Sequence, residues 1–114
     1  MKEKFEKTQK YFDCPLTTAM NVIGGKWKAV ILGHLFTGEK RFGELKKLVW
    51  GVTQKMLTQQ LRELEDDGLI HREIYKEIPP RVEYSLTEFG KSLSPILQDL
   101  CVWGQKVKDN KLLG

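Results

Sequence analysis

The chain has little of what an enzyme, a membrane protein or a disulfide scaffold needs. Its two cysteines, Cys14 and Cys101, are too few and too far apart for a disulfide framework or a four-ligand zinc site. Of the two histidines, His34 falls on the apolar stripe of a helix and reads as a core residue, and His71 stands alone in a strand. No stretch approaches the roughly 20 apolar residues that cross a bilayer. There is no nucleophile elbow, phosphate loop or metalloprotease motif, and Gly24-Gly25-Lys26 reads as an interhelical turn. No catalytic residue, metal or cofactor is therefore expected. The leading segment MKEKFEKTQKYFD mixes lysines with acids and has no apolar run, unlike a secretory signal, so the cytoplasm is the expected location.

What is present suits one compact domain. A length of 114 residues supports a single core, and 40% hydrophobic with 30% charged residues is normal for a soluble globular chain. We expect a charged extension over residues 1–13 and one domain over 14–110. The net charge of +4 favours an anionic partner only weakly, and its distribution says more. Residues 38–62 hold six basic residues against two acids, whereas 63–67 hold four acids and nothing basic, so positive charge is gathered mid-chain beside an acidic boundary.

Periodicity orders the elements. Pro15 suits a first helical position, and Leu16, Ala19, Met20 and Ile23 follow at helical spacing up to Gly24-Gly25. A second helix from about Lys26 carries Trp27, Val30, Ile31 and Leu35 on one face and stops at Thr37-Gly38; Glu39–Arg41 allows a very short strand. Phe42, Leu45, Leu48 and Val49 define a third helix, ended by Trp50-Gly51. Thr53 is a natural N-cap for a fourth, which buries Leu57, Leu61 and Leu64 and closes at Gly68. The separation of these two helices is the turn of a helix-turn-helix. Val82, Tyr84 and Leu86 alternate with Glu83 and Ser85 as in a half-buried strand, and the run from Leu69 to Lys76, with Ile70 and Ile74 on one face, pairs with it across the Pro79-Pro80 tip. Thr87 caps a last helix with Phe89, Leu93, Ile96, Leu100, Trp103 and Val107 in a seam, and Pro95 predicts a kink or a restart capped by Ser94. The fold class is mainly α with a small β-hairpin: a winged helix-turn-helix.

Each part answers a need of duplex recognition. The major groove admits one helix, and the fourth helix turns Gln54, Lys55, Thr58, Gln59 and Arg62 away from its leucines. Glutamine pairs with adenine, arginine with guanine, and a threonine methyl with that of thymine. Glu63, Glu65, Asp66 and Asp67 come late and would be repelled by phosphate; with no histidines converging on them they read as a solvated helix end, not a metal site. The N-terminal half should therefore enter the groove. Lys40, Arg41, Lys46 and Lys47, with Thr53, are candidate backbone contacts, which set register without reading sequence. Arg81 and Lys76 place charge on the wing, though Arg81 could equally pair with Glu77 or Glu83. The seam of the last helix exceeds what so small a core needs, and its spacing is that of helix pairs. Phe89 and Leu93 are assigned to the chain's own core, and Leu97, Leu100, Trp103 and Val107 to a second copy.

Cys14-Pro15, GGKWKAVIL, RFGEL, KMLTQQLRELEDDGLI and above all YKEIPPRVEYSLTEFG resemble the HxlR-type winged helix regulators, relatives of the MarR-type proteins, over roughly residues 12–107. The resemblance implies a cytoplasmic homodimer on a pseudo-palindromic operator of double-stranded DNA, joined through its first and last helices. That places Leu16 and Met20 in the interface. It also implies a candidate redox sensor in Cys14, since several members sense oxidants or electrophiles through a cysteine near the first helix. Independently, a sulfur just before a helix-opening proline sits at the positive end of the helix dipole, which favours thiolate. The plainer reading of Cys14 is a small side chain filling a gap, and Cys101, on the apolar face of the last helix, reads as inert packing. The competing function is a winged-helix protein-interaction module that does not bind DNA; a small-molecule or oxidant effector is compatible with either.

Overall fold

The computed structural model describes residues 14–113; the expected extension over 1–13 lies outside the described residues. The elements run α1 (Pro15–Ile23), α2 (Lys28–Leu35), β1 (Lys40–Arg41), α3 (Phe42–Leu48), α4 (Gln54–Asp66), β2 (Ile70–Tyr75), β3 (Arg81–Leu86), α5 (Glu88–Lys91) and α6 (Ser94–Leu113). The strands form one antiparallel sheet in the order β1-β3-β2. In the hairpin Ile70 faces Leu86, Arg72 faces Tyr84 and Tyr75 faces Arg81; on the other side Lys40 and Arg41 face Tyr84 and Glu83.

The core lies where α2, α3 and α4 meet the base of the sheet. Ile31, Leu32 and Leu35 of α2 pack with Leu45, with Val49 and Val52 of the inter-helix turn, and with Leu57, Leu61 and Leu64 of α4; Leu69, Ile70, Tyr84 and Leu97 close it. In α2 the expected Val30 is replaced by Leu32: Val30 is exposed and Leu32 fully buried, because the core-facing set is Lys28, Ile31, Leu32 and Leu35. Leu48, expected on the apolar face of α3, is also exposed. Ile70 is buried, but Ile74 is exposed, because the hairpin runs beyond the core.

Two local devices aim α4. The Thr53 hydroxyl accepts the Met56 N–H at 3.1 Å, filling an orphan donor of the first turn. At the other end Gly68 has φ +78°, and the N–H groups of Gly68 and Leu69 donate to the carbonyls of Glu65 and Leu64, both at 3.0 Å. This is the Schellman arrangement, with Leu69 and Leu64 both buried as its hydrophobic partners. The reversal leads directly into β2.

The last helical region is broken. Continuing α5 through Pro95 would require an N–H that proline lacks and would drive its ring into the Lys91 carbonyl, so α5 stops at Lys91 and α6 restarts at Ser94. Ser94 is the first residue of α6 rather than its cap. The break resets the helical phase and corrects two assignments. Phe89, expected in the core, is 63% exposed, whereas Leu97, expected at a partner, is 6% exposed and belongs to the chain's own core. Cys101, expected in packing, is exposed. The 20 residues of α6 span about 30 Å. Leu97 is the buried hydrophobic residue it contributes among those whose side chains are described, while Ile96, Leu100, Val102 and Trp103 stand out from the surface. α1 likewise buries no residue fully and exposes Leu16 and Met20.

Candidate nucleic-acid interface

Leu57, Leu61 and Leu64 hold one face of α4 in the core, so its opposite face must be wet. Gln54, Lys55, Thr58, Gln59 and Arg62 are all exposed and together line one open, shallow depression. The Thr58 hydroxyl donates to the Gln54 carbonyl at 2.8 Å, a bond within the helix that leaves the longer side chains as the outward donors and acceptors. The turn before α4 is anchored by the buried Val49 and Val52, which fixes how far α4 stands from α3.

Gln59 is not free. Its Nε2 donates to Glu63 Oε2 at 2.6 Å, and the other oxygen of that carboxylate takes Lys28 Nζ, also at 2.6 Å. Lys28 is 6% exposed, so the pair joins α2 to α4 beside the core. The Lys28 ammonium, with help from Gln59, holds the Glu63 carboxyl below the usual carboxylate range. This revises Glu63, expected to belong to a merely solvated acidic end. Sequence reasoning passed over Lys28, although a signal was there: it stands three, four and seven residues before Ile31, Leu32 and Leu35, a core-facing position where a charge calls for a partner.

Around α4 the other expected contacts are dispersed. Lys46 and Lys47 are exposed in the last turn of α3. Arg41 is exposed, with its Nε 3.9 Å from Glu83, and its backbone N–H donates to Glu44 Oε1 at 2.9 Å to open α3. Lys40 is turned back on its own loop, its Nζ donating to Thr37 Oγ1 at 3.0 Å and the Gly38 carbonyl at 3.1 Å. On the wing Lys76 is exposed. Arg81 adopts the pairing alternative: its guanidinium lies 3.1 Å from Glu77 and 3.5 Å from Glu83 and stacks 4.1 Å from the centre of the Tyr75 ring. Much of its charge is thus compensated on the hairpin itself.

Two further residues are given no functional role by the sequence, where Trp50 reads only as the end of the third helix. Arg72 of β2 lies at the seam between α4 and the hairpin, 3.9 Å from Glu65 and lining a small polar pocket with Thr58, Arg62 and Tyr84. Burial pushes the Tyr84 phenol up, partly offset by Arg72. Trp50 is 90% exposed at the helix-turn-helix corner.

Cys14 is the N-cap of α1 and half-buried. The neighbouring Thr17 amide, followed by its hydroxyl, lowers the thiol's pKa from the ordinary cysteine value, although no formed hydrogen bond to the Cys14 side chain caps the helix. Among the described residues no group of histidine, cysteine and carboxylate side chains could hold a metal, and no helix is long and apolar enough to cross a membrane.

A helix-turn-helix whose second helix presents a polar face, followed by an antiparallel hairpin, defines the class: a winged helix-turn-helix protein. Comparison with known proteins identifies the particular family. The HxlR-like helix-turn-helix model matches residues 22–112, and the chain belongs to that family, for which DNA binding is implied. The chain is 58% identical over 96 residues to the uncharacterized HTH-type transcriptional regulator YdeP of Bacillus subtilis (strain 168), covering 84% of this chain and 75% of that one. Among solved structures it is similar to the redox regulator HypR in its reduced form, with TM-score 0.83, 48% identity and coverage of 89% of this chain and 100% of that one. It is also similar to the reduced form of the transcriptional regulator YodB from B. subtilis, with TM-score 0.72, 34% identity and coverage of 82% and 92%.

Proposed function

We propose that this protein is a cytoplasmic, non-enzymatic transcription regulator that binds a pseudo-palindromic operator in double-stranded DNA as a homodimer. The observation that carries the reading is the exposure of Gln54, Lys55, Thr58, Gln59 and Arg62 on one side of a helix whose other side is locked in the core. A side chain reads a base edge only from such a rigid, unobstructed support. Lys46 and Lys47 of α3, Arg41, and Thr53 at the start of α4 then meet the flanking phosphates, and Lys76 the groove beside the wing. Pairing of two copies through α1 and α6 covers the apolar surface of Leu16, Met20, Leu100 and Trp103, with the half-buried Val107 at its margin. Two copies set two reading heads about one helical turn, roughly 34 Å, apart.

Cys14 is the proposed receiver of an oxidant or electrophile. Its favoured thiolate supports this, as does the similarity to HypR, a redox regulator solved in oxidised and reduced forms. Modification there would move α1, and with it the spacing of the reading heads.

The test is selection of bound fragments from genomic DNA with and without diamide, followed by anisotropy titration of the best fragment at several salt concentrations. We expect enrichment of a two-fold symmetric site, affinity that falls linearly with the logarithm of salt, and weaker or altered binding with diamide that Cys14→Ser abolishes. No enrichment, or no salt-dependent binding, refutes the DNA-binding function and favours an interaction module. A diamide response that survives Cys14→Ser removes Cys14 alone.

A further inference from the structure

We propose that the Lys28–Glu63–Gln59 chain is a specificity device that fixes which way the Gln59 carboxamide faces the groove. It restricts Gln59 to bases carrying a major-groove amino group. The inference rests on the DNA-reading function proposed for α4 and names the residues that set one position of its code.

The argument follows from donor and acceptor inventories. An ionised carboxylate only accepts hydrogen bonds, so the end of the Gln59 amide that meets Glu63 Oε2 must be the nitrogen. In the planar amide the carbonyl oxygen is then on the side away from Glu63, on an exposed side chain of the face proposed to meet the groove. A free glutamine can turn its amide over and present a donor to guanine O6 or thymine O4, or an acceptor to adenine N6 or cytosine N4. Held as observed, Gln59 cannot exchange the places of its oxygen and nitrogen: it presents the carbonyl acceptor away from Glu63, beside the one N–H that Glu63 leaves unused. Adenine and cytosine satisfy that acceptor, and guanine and thymine oppose oxygen with oxygen.

Glu63 can act in this way because it is itself held. Its second oxygen is 2.6 Å from Lys28 Nζ, and Lys28 is almost wholly buried on the core-facing side of α2. A buried ammonium without its carboxylate is costly, so the pair stays formed and the carboxylate keeps its place. Lys28 is thus a positioning residue: it touches no base and acts through Glu63 on Gln59. The surface pair of Gln59 and Glu63 alone, four residues apart on a helix, would be weak and readily exchanged for water.

The test selects operators from a random duplex library with the full chain and its variants. Gln59→Ala identifies the position that Gln59 reads, as the one in each half-site where preference disappears. For the unsubstituted protein we expect adenine and cytosine together to be favoured there over guanine and thymine by about fivefold to tenfold, the worth of one hydrogen bond. Glu63→Gln and Lys28→Met should each reduce that ratio to about twofold or less, and Lys28→Arg should restore it. The first two variants change the net charge in opposite directions, so a shared loss of base preference cannot come from general attraction to DNA. A purely structural role for Lys28 would lower the melting temperature of Lys28→Met and leave the base ratio of the folded protein unchanged. A preference for guanine or thymine at the Gln59 position, an unchanged ratio in Glu63→Gln, or a Gln59→Ala variant that selects the same operator would each overturn the inference while leaving DNA binding intact. Selection of no preferred sequence by the unsubstituted protein overturns the DNA-reading function first.

Discussion

Leu97 and Trp103 lie on the same helix but answer to different partners, and truncating each to alanine should separate the stability of the fold from that of a dimer. Leu97 is 6% exposed among core residues. Its truncation leaves a cavity at the edge of a packed core and should cost about 3 kcal/mol. In a domain this small that lowers the melting temperature by roughly 15 °C. Trp103 is 64% exposed. That corresponds to roughly 150 Å² of indole surface, or about 4 kcal/mol if a second copy covered all of it. Association recovers only part of such area, so about 2 kcal/mol per copy is a fair expectation. Two copies face each other across a symmetric interface, so Trp103→Ala should weaken a dimer roughly a thousandfold. The assay is sedimentation over a dilution series together with melts at two protein concentrations. Leu97→Ala should lower the melting temperature at both concentrations, and Trp103→Ala should move the dissociation midpoint. If Leu97→Ala changes only association, the phase of α6 is wrong; if Trp103→Ala leaves association unchanged, the exposed side of α6 is not where the copies meet.

Cys14 should alkylate with iodoacetamide at lower pH than cysteine in the urea-unfolded chain, because its folded pKa is depressed and thiolate persists further down the pH scale; a rate midpoint at or above that of the unfolded chain refutes the stabilised thiolate. Gly68→Ala should cost about 1 kcal/mol, read by urea denaturation, because its φ of +78° penalises any side chain. Gly90→Ala should cost more, about 3 kcal/mol, since a Cβ there would run into the Leu69 carbonyl and something in the backbone must shift; equal costs would show that α5 yields readily. Lys47→Ala should weaken binding to every DNA sequence alike and flatten the salt dependence by about one charge, and an unchanged slope takes Lys47 out of the interface.

Much of the fold is legible in the sequence because it follows from short-range physics. Thr53 as a cap, Gly68 as a stop, the Pro79-Pro80 tip and the alternation of Val82, Tyr84 and Leu86 are local signals, and each lies where local chemistry requires. The polar face of α4 is equally local, since its leucines decide which side chains point away from the core. Misplacements arise where periodicity alone chose between adjacent faces. Val30 and Leu32 are two residues apart on an apolar helix that sequence cannot orient, and the break before Pro95 shifted the phase that had assigned Phe89 and Leu97.

What the chain determined alone is therefore the order of its elements, the ends marked by Thr53, Gly68 and the Pro79-Pro80 tip, and which face of α4 is wet, because caps, turns and hydrophobic spacing act within a few residues. What required the tertiary structure is how charges are shared between elements: Lys28 of α2 beneath Glu63 of α4, Arg81 held by Glu77 and Glu83, and Arg72 at the seam with the hairpin. Lys28 and Glu63 are separated by 35 positions, and their pairing depends on how two helices cross over a common core. No local rule carries that information, because an ion pair forms wherever packing brings two charges together.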